Sequence, residues 1–546
     1  AANSHRLQGK DTSDFDNRFV NENQENSITS SMIVNGTIIG ADLNQMNANQ
    51  GQVLKWNGTT WAPANDEIGG DSAWIRGTPD SVLFTIRQLG IARFGNTLYG
   101  NSNARSTHIN LGVTSQTGTS AMNHYYCTVG GGYGNTASGD TSVIAGGAYN
   151  TASGKCAFVG GGRGDTASGA YSFVGGGYGN KATGGYATIA GGHYNIADTY
   201  AFVGGGYADT ASGKYSFVGG GYRNKATRSY ATIAGGEFNE ASGWSSFVGG
   251  GDRNKATGYT ATVTGGEFNE ASGWRSFVGG GYGNKARESY ATIAGGHYNI
   301  ADTYAFVGGG CGNKAKGSYA TIAGGYYNIA DTYAFVGGGY ADTASGSYSF
   351  VGGGFKNKAT GGYATVPGGH NNIARGAYSL AAGRYARANH GGCFVWSDEA
   401  SGLSESVYTT GASQFRVRAR GGTWFFSNAT MTSGVYLAPN SNSWSSISDK
   451  ENITDISSVN KKELLKRIAE LQIKYYRIKG QKEDVKHIGL TAEEFYKTFG
   501  VGESDKAINM ADADGILFTA IQALYEENQK LREEIEFLKA ELEKRK

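Results

Sequence analysis

A mainly β chain, wound as a parallel β-roll and finished by helices, is what this sequence predicts, on three observations. A Gly-rich phrase recurs every 14 or 15 residues through the middle of the chain. Each copy holds one branched aliphatic residue at fixed offsets from glycine and alanine. From Asn460 the composition turns abruptly charged and helical. The 546 residues carry 89 Gly and 34 Tyr but only 4 Pro, which excludes collagen, with its three-residue Gly period and abundant Pro. The formal net charge is +2 and the basic residues are scattered, so no nucleic-acid or anionic-membrane footprint is expected. No apolar run approaches the ~20 residues of a helical membrane span.

Residues 1–125 are expected to form a β-rich base or docking segment. "SITSSMIVNGTIIGADL" alternates around Asn35-Gly36 and "GQVLKWNGTTWAPAND" around Asn57-Gly58, both patterns of β-hairpins. With "RLQGKDTSDF" they resemble the N-terminal segments of bacterial tail-fibre-domain surface proteins. The chain opens on Ala1 without Met, as expected of a processed secreted protein. The polar stretch 1–24 needs a partner to be ordered; a neighbouring trimer clasped by roughly residues 1–30 is the expected one, and folding back on its own trimer is the alternative.

Residues 126–385 form the repeat. Seventeen branched anchors run from Val129 to Val366, separated by thirteen steps of 15 residues and three of 14. Every anchor has Gly three residues on, Asn or Asp six on and Ala eight on, with Ala, Ser or Cys two before. So regular a period reads as stacked coils. Strand alternation assigns the small residue at −2, the anchor and Gly at +2 to the inner face, and Asn at +6 and Ala at +8 to that of the returning segment. One branched side chain per coil implies a narrow, flattened roll of two short strands and two turns. The repeated Asn reads as a turn residue tolerant of left-handed backbone, stacked into an amide ladder. A row of calcium ligands would need the nine-residue, Asp-regular unit that this period does not match.

At ~4.8 Å per strand, sixteen steps make a rod of roughly 75–80 Å. The position before the anchor alternates Phe with Thr, as in Phe173, Thr188 and Phe202. Outward aromatics in such number are a hazard on a lone roll and become a core between three parallel ones. Tyr171, Tyr186 and Tyr200 read as part of that interface or as an exterior binding stripe. Four cysteines, Cys127, Cys156, Cys311 and Cys393, fit neither a zinc site nor a disulfide framework and read as small buried residues.

"NKATGGYATIAGG" and "DTASGKYSFVGGG" resemble the head repeats of trimeric autotransporter adhesins, over roughly residues 125–385. The resemblance implies a left-handed parallel β-roll in a homotrimeric fibre. The unit here is mostly one residue longer, with GGG for a single Gly. Where such adhesins place a membrane barrel, this sequence has a charged helical region.

Residues 386–444 read as a β connector of irregular short strands, resembling the connectors of tail-fibre-like proteins. Residues 445–546, with "KENI", "HIGLTAEEFYKTFG" and a final helical run, resemble the endosialidase-type intramolecular chaperone domain of phage tail fibres. That implies a chaperone that registers three chains while the fibre folds. Leu517, Leu524, Leu531 and Leu538 occupy heptad position d, and Ile521, Asn528, Ile535 and Leu542 position a. Heptad rules alone lean towards a dimeric coiled coil, whereas the fibre resemblance implies a trimer. In that family the chaperone is released by its own serine, in an S-D-x-x-x-K motif. Here Ser448-Asp449 matches the pair but Lys450 follows too soon, while Ser445 has the five-residue spacing to Lys450 without the Asp. The candidate self-cleavage residues are therefore Ser445, Ser448 and Lys450, with a lysine amine serving as base to the serine.

No other enzymatic activity, cofactor or metal is expected. A polysaccharide-cleaving spike needs two paired carboxyls, and Glu237 and Glu267 stand two coils apart. His193 and His297 are seven coils apart, roughly 33 Å. The expected function is a structural subunit of a homotrimeric extracellular fibre, at the cell surface or as a virion tail fibre, polymerising head to tail. The alternative is an adhesin or tail fibre that binds cell-surface receptors or glycans.

Overall fold

The computed structural model describes residues 6–7, 10–11, 52–57, 59–65, 75–76, 83–84, 90–93, 96–105, 107–120, 122–398, 406–447, 451 and 453–546. The chain divides into two units: Ala1–Ala382 with Arg387–Cys393 and Thr410–Ser413, and Gly383–Ala386 with Phe394–Thr409 and Gln414–Lys546. The hairpin expected at Asn57 is present, with Gln52–Trp56 antiparallel to Trp61–Asn65. Asn57 Oδ1 accepts the N–H groups of Thr59 and Thr60 at 3.0 and 2.8 Å, so the asparagine supplies the turn through its side chain. The hairpin expected at Asn35 lies outside the described residues.

Apart from two short antiparallel pairs, Arg6–Leu7 with Lys10–Asp11 and Ile75–Arg76 with Leu83–Phe84, the described residues that follow in the first unit belong to the solenoid. Its ladder starts ahead of the first anchor: Ile91–Ala92 pairs in parallel with Ile109–Asn110, and that strand with Thr128–Val129. The short helix α1 (Ser102–Arg105) lies between the first two of these strands. Thereafter each anchor strand pairs with the next, as Phe173–Val174 with Thr188–Ile189, and each return strand likewise, as Lys181–Ala182 with Ile196–Ala197. A third column has a single bridge per coil at +4, running from Val113 and Tyr133 to His370. The coil therefore has three pairing columns rather than two. Every rung is bonded across coils: Phe173 N–H donates to Ala187 O at 2.8 Å and Tyr178 N–H to Gly192 O at 3.0 Å.

All seventeen anchors are fully buried, as are the alanines at +8 and the Asn or Asp at +6. Burying one Val or Ile per coil stabilises it by roughly 1.5–3 kcal/mol, so each coil depends on its neighbours. One inner-face assignment and one backbone assignment change. Glycine at +2 does not point inward: a Cβ on Gly131, Gly161 or Gly265 would meet nothing within 4 Å. The strands are two residues long, so alternation ends at the anchor. Nor is the repeated Asn left-handed. Besides glycines, the left-handed positions are −3 and +5, at φ near +55°, held in most coils by tyrosine or another non-glycine residue, as at Tyr186 and Tyr194. Tyr186 N–H donates to Ala170 O and Tyr194 N–H to Tyr178 O, both at 2.8 Å. These bonds to the preceding coil offset the ~1–3 kcal/mol such a backbone costs.

The asparagines do form the expected ladder. Asn254 N–H donates to Asn239 Oδ1 at 2.9 Å, while its own Nδ2 donates to Gly250 O and Gly266 O at 2.8 and 2.7 Å. Each amide thus ties its own turn to the next, with no polar atom of the amide left over. Of the cysteines, Cys127 and Cys393 are buried as expected. Cys156 and Cys311 are half-buried, because they fall at −3 and in the +4 column, whose side chains face outward.

In the second unit, Phe394–Ser397 pairs in parallel with Phe415–Arg418, and Asp398 bonds Arg418 Nε at 2.8 Å. A three-stranded antiparallel sheet follows: Thr423–Phe426, Gly434–Leu437 and Ser445–Ser446. After it come the helices α2 (Lys461–Glu470), α3 (Ala492–Phe499) and α4 (Met510–Lys544). Among the described residues, no helix is long and apolar enough to cross a membrane.

Candidate functional site

Parallel register turns each coil position into a row of identical chemistry on the solenoid surface. The row at −1 holds nine Phe, seven Thr and Val143, and the row at +1 only Gly, Ala, Thr264 and Pro367. Neither row contains a charge over seventeen coils. Phe173, Phe217, Phe247, Phe306 and Phe350 are each about two-fifths exposed. The row at +7 is the opposite, and runs Lys225, Glu240, Lys255, Glu270, Lys285 in direct register. Alternating signs favour this register and penalise slippage.

The tyrosines at −3 make a continuous aromatic stack of fifteen rings from Tyr171 to Tyr378, with centroids 4.7–6.3 Å apart. Sequence reading found its start and missed its length, because Trp244, Tyr259 and Trp274 stand at −4 and still enter the stack. The shifted phrase "ASGW" carries that signal.

The +4 row brings Asp252 between Glu237 and Glu267, so these acids are not isolated, as they read in the sequence. Asp252 is taken by Arg253 at 2.6 Å, whose guanidinium also lies 4.9 and 5.3 Å from the rings of Phe238 and Phe268. Glu237 and Glu267 are exposed on an outward row. His193 bridges Tyr178 and Tyr207, while His297 bridges Tyr282 and Cys311. Among the described residues, no three His, Cys, Asp or Glu side chains group as metal ligands.

In the second unit, Ser445 is half-buried on the outer strand of the three-stranded sheet, opposite Tyr436. Ile447 N–H donates to Gly434 O at 2.9 Å and continues that strand. Ser448 and Lys450 lie outside the described residues. The helices after this strand are locally well specified. Asn460 caps α2 by accepting Glu463 N–H at 3.2 Å. Thr491 and Glu494 form a capping box on α3, closed by Gly500 in the left-handed conformation. The Thr491 N–H, the Lys474 ammonium at 2.9 Å and the Thr491 hydroxyl together bring the Glu494 carboxyl down to about 2. Lys474 belongs to a strand, Lys474–Tyr476, paired with His487–Gly489, so this ion pair links hairpin to helix.

Ile516, Ala520 and Ala523 are the buried residues of α4, and Lys461 of α2 bonds its Glu526 at 2.7 Å. The heptad seam is left bare: Leu517, Ile521, Leu524, Leu531, Ile535, Leu538 and Leu542 are 48–62% exposed. That is a large apolar surface for one helix to leave open to water.

Residues 445–500 match the family model described as chaperone of endosialidase. The match opens at Ser445, takes in α2, the hairpin and α3, and ends before α4. The chain thus carries, after a parallel β-solenoid, a segment similar to the chaperone of endosialidase. No curated protein matches the chain.

Proposed function

We propose that this chain is the structural subunit of a homotrimeric extracellular fibre, and that its C-terminal domain registers the three chains during assembly. A solenoid ahead of a chaperone-of-endosialidase domain fits a tail-fibre- or adhesin-like protein. The observation that carries the trimer is the uncharged Phe/Thr face, which is costly in water and complementary to itself. The bare seam of α4 agrees with it. On this reading the fibre stands outside the cell, on its surface or on a virion, and trimers join end to end through roughly residues 1–30.

Mass measurement of the full chain at micromolar concentration is expected to give three copies; a monomer ends the reading. Deleting residues 445–546 before expression should yield aggregated chains, because non-local β stacking folds slowly without a registering nucleus. Correctly assembled rods from that truncation would remove the chaperone role. Removing residues 1–24 should abolish filaments in electron micrographs while leaving trimers, and persisting filaments put the clasp elsewhere. If Ser445 or Ser448 cleaves the chain with Lys450, a fragment of about 100 residues is released and is lost in Ser445→Ala or Ser448→Ala.

The aromatic stack favours a second reading, a fibre that binds glycans, since exposed rings stack on sugar faces. Short rods that bind cells, and lose binding in Tyr319→Ala with Tyr333→Ala, would support it over the purely structural role.

A further inference from the structure

Three rungs of the buried amide ladder are carboxyls: Asp165, Asp209 and Asp342. Each keeps half of the asparagine pattern, its Oδ1 accepting the N–H of Asn180, Asn224 or Asn357 at 2.7, 2.7 and 2.6 Å. The other half fails. Oδ2 takes the place of the donating Nδ2, beside Gly162 and Gly177 in the first case, and in all three rungs it is buried without a hydrogen-bond partner. The two carbonyls that an Asn amide serves elsewhere receive no side-chain donor here.

The next coil responds at these three rungs. The glycine at +3 of the following coil has φ of +120° at Gly177, +124° at Gly221 and +108° at Gly354. The fourteen other glycines at that position lie between +84° and +98°. The turn rotates where the rung beneath it presents an oxygen in place of an N–H.

We propose that Asp165, Asp209 and Asp342 are proton-binding sites, each holding a neutral carboxyl whose Oδ2–H donates to the glycine carbonyl that the Asn amide serves in the other rungs. A carboxyl in this setting satisfies both halves of the pattern, whereas a carboxylate sets an uncompensated charge against carbonyl oxygens. Burial raises all three carboxyls, Asp209 and Asp342 to about 6. The charged group acting on Asp165 is His193, two coils on. Arg163 and Lys181 beside Asp165, Arg223 and Lys225 beyond Asp209, and Lys356 and Lys358 beyond Asp342 are exposed and face outward. The remaining neighbours on the ladder are amides.

The sign follows from linkage. The folded carboxyl binds its proton more tightly than the unfolded one, so the stabilisation is full near pH 4 and is lost as pH rises through about 6. At Asp209 and Asp342 the preference amounts to about a hundredfold in proton affinity.

The test is the full chain with D165N, D209N and D342N together, which restores the donor at each rung. The wild type should lose melting temperature between pH 4 and pH 8. The triple variant should be flatter over that window and more stable at pH 8. Infrared spectra of the wild type at pH 5 should contain the stretch of a buried protonated carboxyl, absent from the variant. Parallel pH profiles, absence of that band, or failure of the triple variant to fold would overturn the proposal. Calcium that stabilises the wild type at pH 8, reversed by a chelator and without effect on the variant, would overturn it in favour of a cation.

Discussion

Replacing Gly251 by alanine tests the coil at its tightest point. Gly251 has φ of +87°, and a Cβ there would strike the carbonyl oxygen of Gly266 and lie 2.6 Å from Asn254 Nδ2. The left-handed backbone alone costs an alanine about 1–3 kcal/mol. Relief of the collision must move either the next coil or the amide, and the amide holds two bonds, to Gly250 O at 2.8 Å and Gly266 O at 2.7 Å. Each is worth about 0.5–1.5 kcal/mol net, so the total is about 2–6 kcal/mol per chain. Gly265→Ala, one coil on, is the matched control: its Cβ meets nothing within 4 Å, and the expected change in coil stability is within about 0.5 kcal/mol. Thermal unfolding by circular dichroism gives the overall loss, and amide hydrogen exchange should show it concentrated in residues 248–271. Equal melting temperatures and equal protection in the two variants would refute the coil register argued here.

Other perturbations separate the remaining forces. Glu240→Lys sets a third lysine in register between Lys225 and Lys255, and should cost about 0.2–1 kcal/mol per like-charged pair, read as a lower melting temperature that recovers in high salt. Leu531→Glu on the seam of α4 should reduce the oligomer to smaller species by sedimentation, while circular dichroism of the helices is kept. Thr491→Ala removes the cap of α3 and should cost about 1 kcal/mol of local stability, measured by exchange at residues 492–499. Glu494 sits below its unfolded pKa, so its contribution is present above about pH 4.5 and fades as pH falls towards 2. The second unit should therefore loosen in acid, where the aspartate rungs of the solenoid are expected to hold.

How much of this was legible along the chain follows from the range of each interaction. The period, the anchors, the inward Ala and Asn and the outward Phe could be read directly, because each coil restates them within 15 residues. The heptads of α4 are an equally local pattern. The tertiary structure alone decided what depends on neighbouring coils. Tyr186 and Tyr194 hold a left-handed backbone that their own sequence disfavours, because carbonyls of the preceding coil accept their N–H groups. Trp244 joins the tyrosine stack, and Asp252 comes between Glu237 and Glu267, only once the register is set. Asp209 reads like any polar turn residue in the sequence; stacking alone buries it between two glycine turns that expect an amide. Local chemistry sets what each coil presents, and stacking sets what each residue meets, since the contacts that test a side chain come from residues 14 or 15 positions away.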